Sequence, residues 1–459
     1  MQIHTKQGAR DLTQGSVYKG LIAFALPLLL GNVFQQLYNT ADALVVGNFL
    51  EKTDLAAVTS SGNLIFMLVG FVNGIAMGAG VVIAKFFGAK QPESLERAIH
   101  TDLAFGLASG AFLTVFGILM TPQILQWMGT PETVLPKSIA YFRVYFAGAM
   151  AMVLYNNCTG ILQAMGDSRH PLYYLMLSSC VNIALDLLFV GVWGQGVWAA
   201  ALATSISQGI SAILALRRVV KFTTVCPVKL KKIRFDLPML KQIIRFGLPA
   251  GIQNSVIGLA NVVVQSNINR FGEDAMAGCG SYAKVEGYAF LPVTCFTMGL
   301  ATFVGQNLGA RQYDRVKKGT RFGILCSMSL SMLMGVVIYQ LAPILISWFE
   351  NDPMVVSYGT RQAYLEAWFY CFLALSHCMA GIFRGAGKAS VPMAVMLVCW
   401  CLIRVSYITV VLNYVWFDIR VVFSAYPLTW TLSSIVFTIY YFKADWMHNF
   451  ERLDQRKAA

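Results

Sequence analysis

Phe24-Ala-Leu-Pro27 and Phe246-Gly-Leu-Pro249 are two copies of one short segment, and their spacing decides how the chain is built. Moving outward from them, Phe87-Gly-Ala-Lys90 returns as Leu308-Gly-Ala-Arg311, and Gly160-Ile161 returns as Gly381-Ile382. The stretch Gly166 to Pro171 returns as Gly387 to Pro392. All keep one order and one shift of about 221 residues, which marks a chain duplicated into two similar halves.

The solvent of those halves follows from composition. Of the 459 residues, 57% are hydrophobic and 12% charged, with a mean hydropathy of +0.60. Soluble chains average about 45–50% and about 25%. Charge-free stretches such as 20–41, 64–84, 103–131 and 171–185 can each cross about 30 Å of hydrocarbon. The N-terminus lacks the short apolar core and cleavage site of a signal peptide, so the first apolar segment is expected to stay as a membrane span. Twelve spans are expected, near 17–45, 54–84, 98–121, 136–159, 171–193, 196–219, 239–270, 276–308, 320–346, 356–382, 391–416 and 420–442.

The net charge of +13 is distributed over alternate loops. Lys6, Arg10 and Lys19 precede the first span; Lys85, Lys90 and Arg97 follow the second; Lys221, Lys229, Lys231, Lys232 and Arg234 lie in the centre. Arg311, Arg315, Lys317, Lys318 and Arg321 repeat the pattern, while the opposite loops hold little beyond Lys52, Lys137, Arg270 and Arg420. This is the positive-inside asymmetry, and it places both termini in the cytoplasm. Basicity here reports topology, and no nucleic-acid recognition motif accompanies it. The expected fold is an all-α membrane protein of two pseudo-symmetric six-helix lobes, 1–220 and 239–459, joined by a cytoplasmic linker at 221–238. Six spans per half is even, so the repeat is parallel.

Polar residues inside such spans need a reason. Asn32, Gln35, Asn39 and Asp42 are spaced 3, 4 and 3 and fall within about 80° on one helix face. That stripe must face protein or a water-filled cavity. Asn182 and Asp186, four apart, share a face of the fifth span, with Asp186 about 22 Å in from the cytoplasmic side. Asp42 and Asp186 therefore lie at a similar level and suit a cation site. Two desolvated carboxylates close together can hold a proton and release it when water or an organic cation arrives. Sodium is the rival ion, since Asp42, Asp186, Asn182 and Asn156 offer hard oxygen ligands. Glu286, near mid-membrane in the eighth span, reads either as a substrate contact or as an ion-pair partner of Arg404. Arg143, Arg361, Glu366 and His377 read as packing or interfacial groups. Pro27 and Pro249 should bend the first span of each half, as a fixed kink or as a hinge. Gly70, Gly74 and Gly78 form a small-residue face for close helix packing.

Tyr38-Asn-Thr-Ala-Asp42-Ala-Leu-Val-Val-Gly47, Met165-Gly-Asp-Ser-Arg169 and Gln306-Asn-Leu-Gly-Ala310 resemble motifs of the multidrug and toxic compound extrusion (MATE) transporters, over nearly the whole chain. The resemblance implies alternating access between two lobes and proton- or sodium-driven export of organic cations. It implies an N-lobe cation site at Asp42, Asn182 and Asp186, a possible Na+ position, with Tyr141, Asn156 and Thr204 as supporting polar groups. It also implies a bending role for Pro27 and substrate handling by Glu286. Gln35, Asn39 and Asn261 complete the expected substrate contacts. Lys85 stands where the family often has Gln, and Gln163 where it often has Arg.

The expectation is thus a monomeric antiporter of a bacterial cytoplasmic membrane, touching lipids and small cationic substrates, with no cofactor beyond H+ or Na+. The alternative is a flippase or exporter of a lipid-linked or other metabolite on a related fold. No nucleophile, zinc or phosphate motif suggests an enzyme. The duplication is also uneven. Asn32 and Asn39 recur as Asn254 and Asn261, but Val264 stands in the place of Asp42, Tyr407 in that of Asp186, and Ile65 in that of Glu286.

Overall fold

The structure is a computed structural model describing residues 10–49, 62–127, 130–222, 228–229 and 232–458. It leaves out the side chains at 39, 41–49, 62–69, 222 and 456–458. Among the described residues it is helical, with no strand. The first half holds α1 (Val17–Phe49), α2 (Gly62–Gly88), α3 (Pro92–Trp127), α4 (Leu135–Ala147), α5 (Ala149–Ala164), α6 (Arg169–Asp186) and α7 (Val197–Phe222). The second holds α8 (Leu237–Asn269), α9 (Glu273–Gly309), α10 (Tyr313–Ser347), α11 (Pro353–Glu366), α12 (Tyr370–Gly385), α13 (Ser390–Met396), α14 (Arg404–Tyr414), α15 (Ile419–Lys443) and the polar α16 (Asn449–Ala458). Among the described residues, eleven helical segments are long and apolar enough to cross a membrane, and α4 with α5, bent by 44°, makes a twelfth. The expected span at 136–159 is therefore present as this bent pair. A Cβ on Gly148, at the break, would collide with Ser205 of α7, whose hydroxyl donates to the Val144 carbonyl.

The outer faces carry the apolar side chains that lipid requires. On α3, Phe112, Val115 and Leu119 recur at helical spacing with 64%, 58% and 66% of their surface exposed.

Two of the repeated motifs turn out to be helix stops, while the Pro27 and Pro249 copies lie inside helices. α2 and α9 end with Lys90 and Arg311 in the left-handed region, at φ 55° and 57°. α5 and α12 end with Gly166 and Gly387 at φ 88° and 72°. Each is closed by the same pair of bonds, such as Lys90 N to Phe87 O at 3.2 Å and Gln91 N to Phe86 O at 3.1 Å. At Gly387 the pair is Gly387 N to Arg384 O and Lys388 N to Phe383 O, both 2.8 Å. This is the Schellman stop, which uses a left-handed residue to satisfy the last carbonyls. Glycine takes that conformation freely, whereas lysine and arginine do not.

The chain divides into two compact units, one built mainly of Leu26–Gly251, the other of Leu12–Ala25 and Ile252–Ala459. The boundaries fall inside α1 and α8, beside Pro27 and Pro249, so each unit includes the opening turns of the other half's first helix. In the first unit, Gly74 and Gly78 of α2 lie against Gly251 and Gly247 of α8, where any Cβ would strike backbone. The expected small-residue face therefore serves close packing. Its apolar centre gathers Leu113, Leu125, Phe142, Phe146 and Val153. In the second unit, Gly381 and Gly385 of α12 meet the backbone of Thr297 and Ala301 of α9. Its centre gathers Tyr282, Tyr370, Trp400 and Trp430.

Relieving the left-handed strain at exposed Lys90 should stabilise the protein. Lys90→Gly is expected to raise its melting temperature in detergent, by about 1 kcal/mol of stability. A lower melting temperature would show that the stop carries no such strain.

Candidate functional site

In the first unit the polar groups converge from α1, α6 and α7. Asn182 and Asp186 lie one turn apart on α6 and are buried, at 0% and 1% exposure. Asn182 donates from Nδ2 to Thr204 Oγ1 on α7 at 3.3 Å, and the Tyr38 hydroxyl of α1 lies 3.5 Å from the same oxygen. Asn182 Oδ1 is buried with no hydrogen-bond partner among the described residues. A buried acceptor of this kind costs free energy until a cation or proton donor meets it.

The other expected residues fall less closely together. Asn156 donates to Asn73 Oδ1 of α2 at 3.3 Å, so its amide is engaged away from α6. Tyr141 stacks on Tyr145 at 6.2 Å and edges onto Phe142 at 5.2 Å, forming an aromatic wall on α4. Gln35 is half-buried on α1 and Asn261 is exposed on α8. α1 continues helically through Pro27 and through 39–42, but the side chains of Asn39 and Asp42 lie outside the described residues.

The second unit holds a denser cluster around Glu366, a residue expected to be a packing or interfacial group. Glu366, at the end of α11, is fully buried. It accepts from Gln362 Nε2 at 2.9 Å and from the Tyr282 hydroxyl of α9 at 3.2 Å. The Tyr282 hydroxyl also lies 2.7 Å from that of Tyr370 on α12. Glu286, half-buried on α9, and Glu366 act on one another electrostatically, and Arg404 acts on both carboxylates. Arg404 is 2% exposed. It donates to Thr429 Oγ1 of α15 at 2.8 and 3.3 Å, with the Trp400 and Tyr426 rings 4.9 and 4.5 Å from its guanidinium. Arg404 and Glu286 act on one another electrostatically as parts of one network.

Helix irregularities mark these residues. Asp186 immediately precedes a π-helical stretch, Leu187–Val192, and Arg404 immediately follows another, Leu397–Ile403. Glu366 precedes the 3₁₀ turn Ala367–Phe369, whose Ala367 carbonyl sits where a Cβ on Gly335 would lie. Such turns re-aim side chains and are frequent at functional sites. They leave no simple trace in residue spacing, so sequence alone does not give the partners of Glu366.

A multi-pass helical membrane protein of two repeats, with buried polar clusters in both units, defines the class. The sequence profile described as MatE matches residues 27–188 and again 249–414, each match opening at a repeated proline. The chain therefore belongs to the MATE family of transporters and is not an enzyme. It is 29% identical over 435 residues to the probable multidrug resistance protein YoeA of Bacillus subtilis (strain 168), covering 93% of this chain and 94% of that protein. A MOP superfamily transporter from Pyrococcus furiosus superposes with a TM-score of 0.89 at 22% identity, over 95% of this chain and 97% of that one. A multidrug resistance MATE family transporter in an outward-facing conformation superposes with a TM-score of 0.89 at 21% identity, over 99% and 100%. These likenesses establish the fold.

The Tyr282 hydroxyl joins Glu366 to Tyr370, so its removal strands two buried polar groups. Tyr282→Phe is expected to lower stability by about 1–3 kcal/mol, read as a lower melting temperature in detergent. An unchanged melt would show that the network does not hold α9, α11 and α12 together.

Proposed function

We propose that this chain is a secondary antiporter of a bacterial cytoplasmic membrane, exporting organic cations or cationic amphiphiles in exchange for H+ or Na+. It works as a monomer by alternating access, with both termini cytoplasmic and the halves 1–220 and 239–459 as the moving lobes about the linker 221–238. The observation that carries the reading is the Asn182–Thr204–Tyr38 chain at buried Asn182, one turn from Asp186, with the acceptor Asn182 Oδ1 lacking a partner among the described residues. A buried carboxylate beside such an acceptor favours a proton or a small hard cation. The name of the Bacillus subtilis relative supports a multidrug substrate class.

In this reading Asp42, Asn182 and Asp186 bind the coupling ion, with Asn156, Tyr141 and Thr204 supporting them. Gln35, Asn39, Glu286 and Asn261 meet the substrate. Pro27 lies beside the boundary where α1 passes from one compact unit to the other, as a hinge in this helix would. A cationic substrate and the ion competing for the same acids would couple their opposite movements.

The test is efflux from proteoliposomes under imposed proton or sodium gradients, with a panel of cationic dyes and a fluorescent lipid. Asp42→Asn and Asp186→Asn should each reduce ion-driven dye efflux at least about tenfold while insertion is unchanged. Undiminished efflux in Asp42→Asn would sink the coupling role. Movement of the lipid instead of the dyes would replace the exporter with a flippase.

A further inference from the structure

We propose that Arg315 is the anchor against which α1 bends: with Gln306 and Asn307 it pins the N-terminal foot of α1 to the second unit, so that a bend at Pro27 carries the rest of α1 with the first. The inference rests on the reading of Pro27 as a hinge and supplies the fixed point that a hinge requires.

A hinge moves one arm only if the other is held. The two arms of α1 belong to different units, Leu12–Ala25 to the second and Leu26 onward to the first. The hold on the lower arm begins just before the helix, at Leu12. Its N–H donates to Gln306 Oε1 at 3.1 Å, and its carbonyl accepts from Asn307 Nδ2 at 3.2 Å and from Arg315 at 3.0 Å. Leu12 and Thr13 are accordingly buried, at 2% and 4% exposure. The Arg315 guanidinium also donates to the carbonyls of Gln14 at 3.3 Å and Gly15 at 2.8 Å, and its Nε donates to Asn307 Oδ1 at 3.2 Å. One side chain thus closes on three backbone carbonyls and on the amide that steadies it. A planar fork of five donors can do this, and the single ammonium of a lysine cannot.

Packing continues the hold along α1. Tyr18 meets Phe322 of α10 edge to face at 4.8 Å, and the buried Phe24 ring lies over Gly299 of α9. Two residues upstream of the clamp, Arg10 N donates to the Gly166 carbonyl at 3.1 Å within the first unit. The clamp therefore grips the chain at the point where it enters the second unit.

The repeat does not copy this arrangement. Lys85, Phe86 and Ser94 stand in the places of Gln306, Asn307 and Arg315. The foot of α8 is held instead by backbone contact, with Gly247 and Gly251 against Gly78 and Gly74 of α2 in the same unit. Such glycine contacts leave no room for a side chain between the helices. α1 meets α9 through the Phe24 side chain, so its foot relies on the polar clamp. Arg315 is a positioning residue that acts through α1.

The test uses the full-length protein, in detergent for hydrogen exchange and in proteoliposomes for ethidium efflux under imposed proton or sodium gradients. In Arg315→Gln the backbone amides of 12–25 should exchange about tenfold faster, while those of 237–250 at the foot of α8 keep their rates. The maximal rate of ethidium efflux should fall about tenfold with the half-saturating concentration changed less than about twofold, since motion and not binding is impaired. Arg315→Lys keeps the charge but loses the fork, and should fall between Arg315→Gln and the unmodified protein. Pro27→Ala should slow efflux as well. The double variant Arg315→Gln/Pro27→Ala should be no slower than the slower single variant, because both changes remove one motion. Effects that multiply would show that Arg315 acts apart from the hinge and would overturn the proposal. So would unchanged exchange at 12–25, or equal loosening at the foot of α8. If the unmodified protein moves no ethidium, the exporter reading falls, and the exchange pattern still decides whether Arg315 is the anchor. Monodisperse elution of each variant guards against misfolding.

Discussion

A charge inside a helical bundle in a membrane has to be answered locally, by a proton, an ion, a substrate or another side chain. That constraint accounts for the polar chemistry of both units. In the first, Asp186 lies one turn from Asn182, whose amide is spent on Thr204 and whose oxygen remains open. In the second, the two acids Glu286 and Glu366 are answered by Arg404, and Arg404 is held by a hydroxyl and two aromatic faces. The solutions differ: in one unit the Asn182 oxygen has no partner among the described residues, and the other unit carries its own cation, Arg404.

The duplicated frame supplies matching architecture on which these unlike sites are placed. Two of its repeated motifs are helix stops whose left-handed residues recur at Lys90 and Arg311 and at Gly166 and Gly387. Such stops end helices at equivalent points and set where the next one begins. The glycine pairs then bring backbones together where side chains would hold them apart, Gly74 and Gly78 in one unit and Gly381 and Gly385 in the other. None of this requires the two halves to share chemistry. Val264 can stand in the place of Asp42 in the repeat because helix stops and glycine contacts carry the fold.

Much of this was legible without coordinates. Hydropathy located the spans, since an apolar run long enough to cross hydrocarbon has few alternatives. Helical periodicity placed Asn182 and Asp186 on one face, and both are buried. Where the structure adds detail, the cause is geometry that periodicity does not register. The expected span at 136–159 is bent by 44° at Gly148, which lies against Ser205. Glu366, read as a packing or interfacial group, takes a partner far away in sequence, Tyr282. The Asn156 amide donates to Asn73.

The sequence by itself determined the membrane class, the two-fold repeat, the helical faces and which residues are too polar to meet lipid. Those properties depend on local composition and on spacing along one helix. Only the tertiary structure decided which polar residues meet, because a network such as Glu286, Glu366, Arg404, Tyr282 and Tyr370 is assembled from four helices whose approach is set by packing. It also decided where helices loosen into π or 3₁₀ turns beside Asp186, Arg404 and Glu366. A one-residue change of winding turns a side chain by about 100°, and spacing rules that assume a regular helix do not register it.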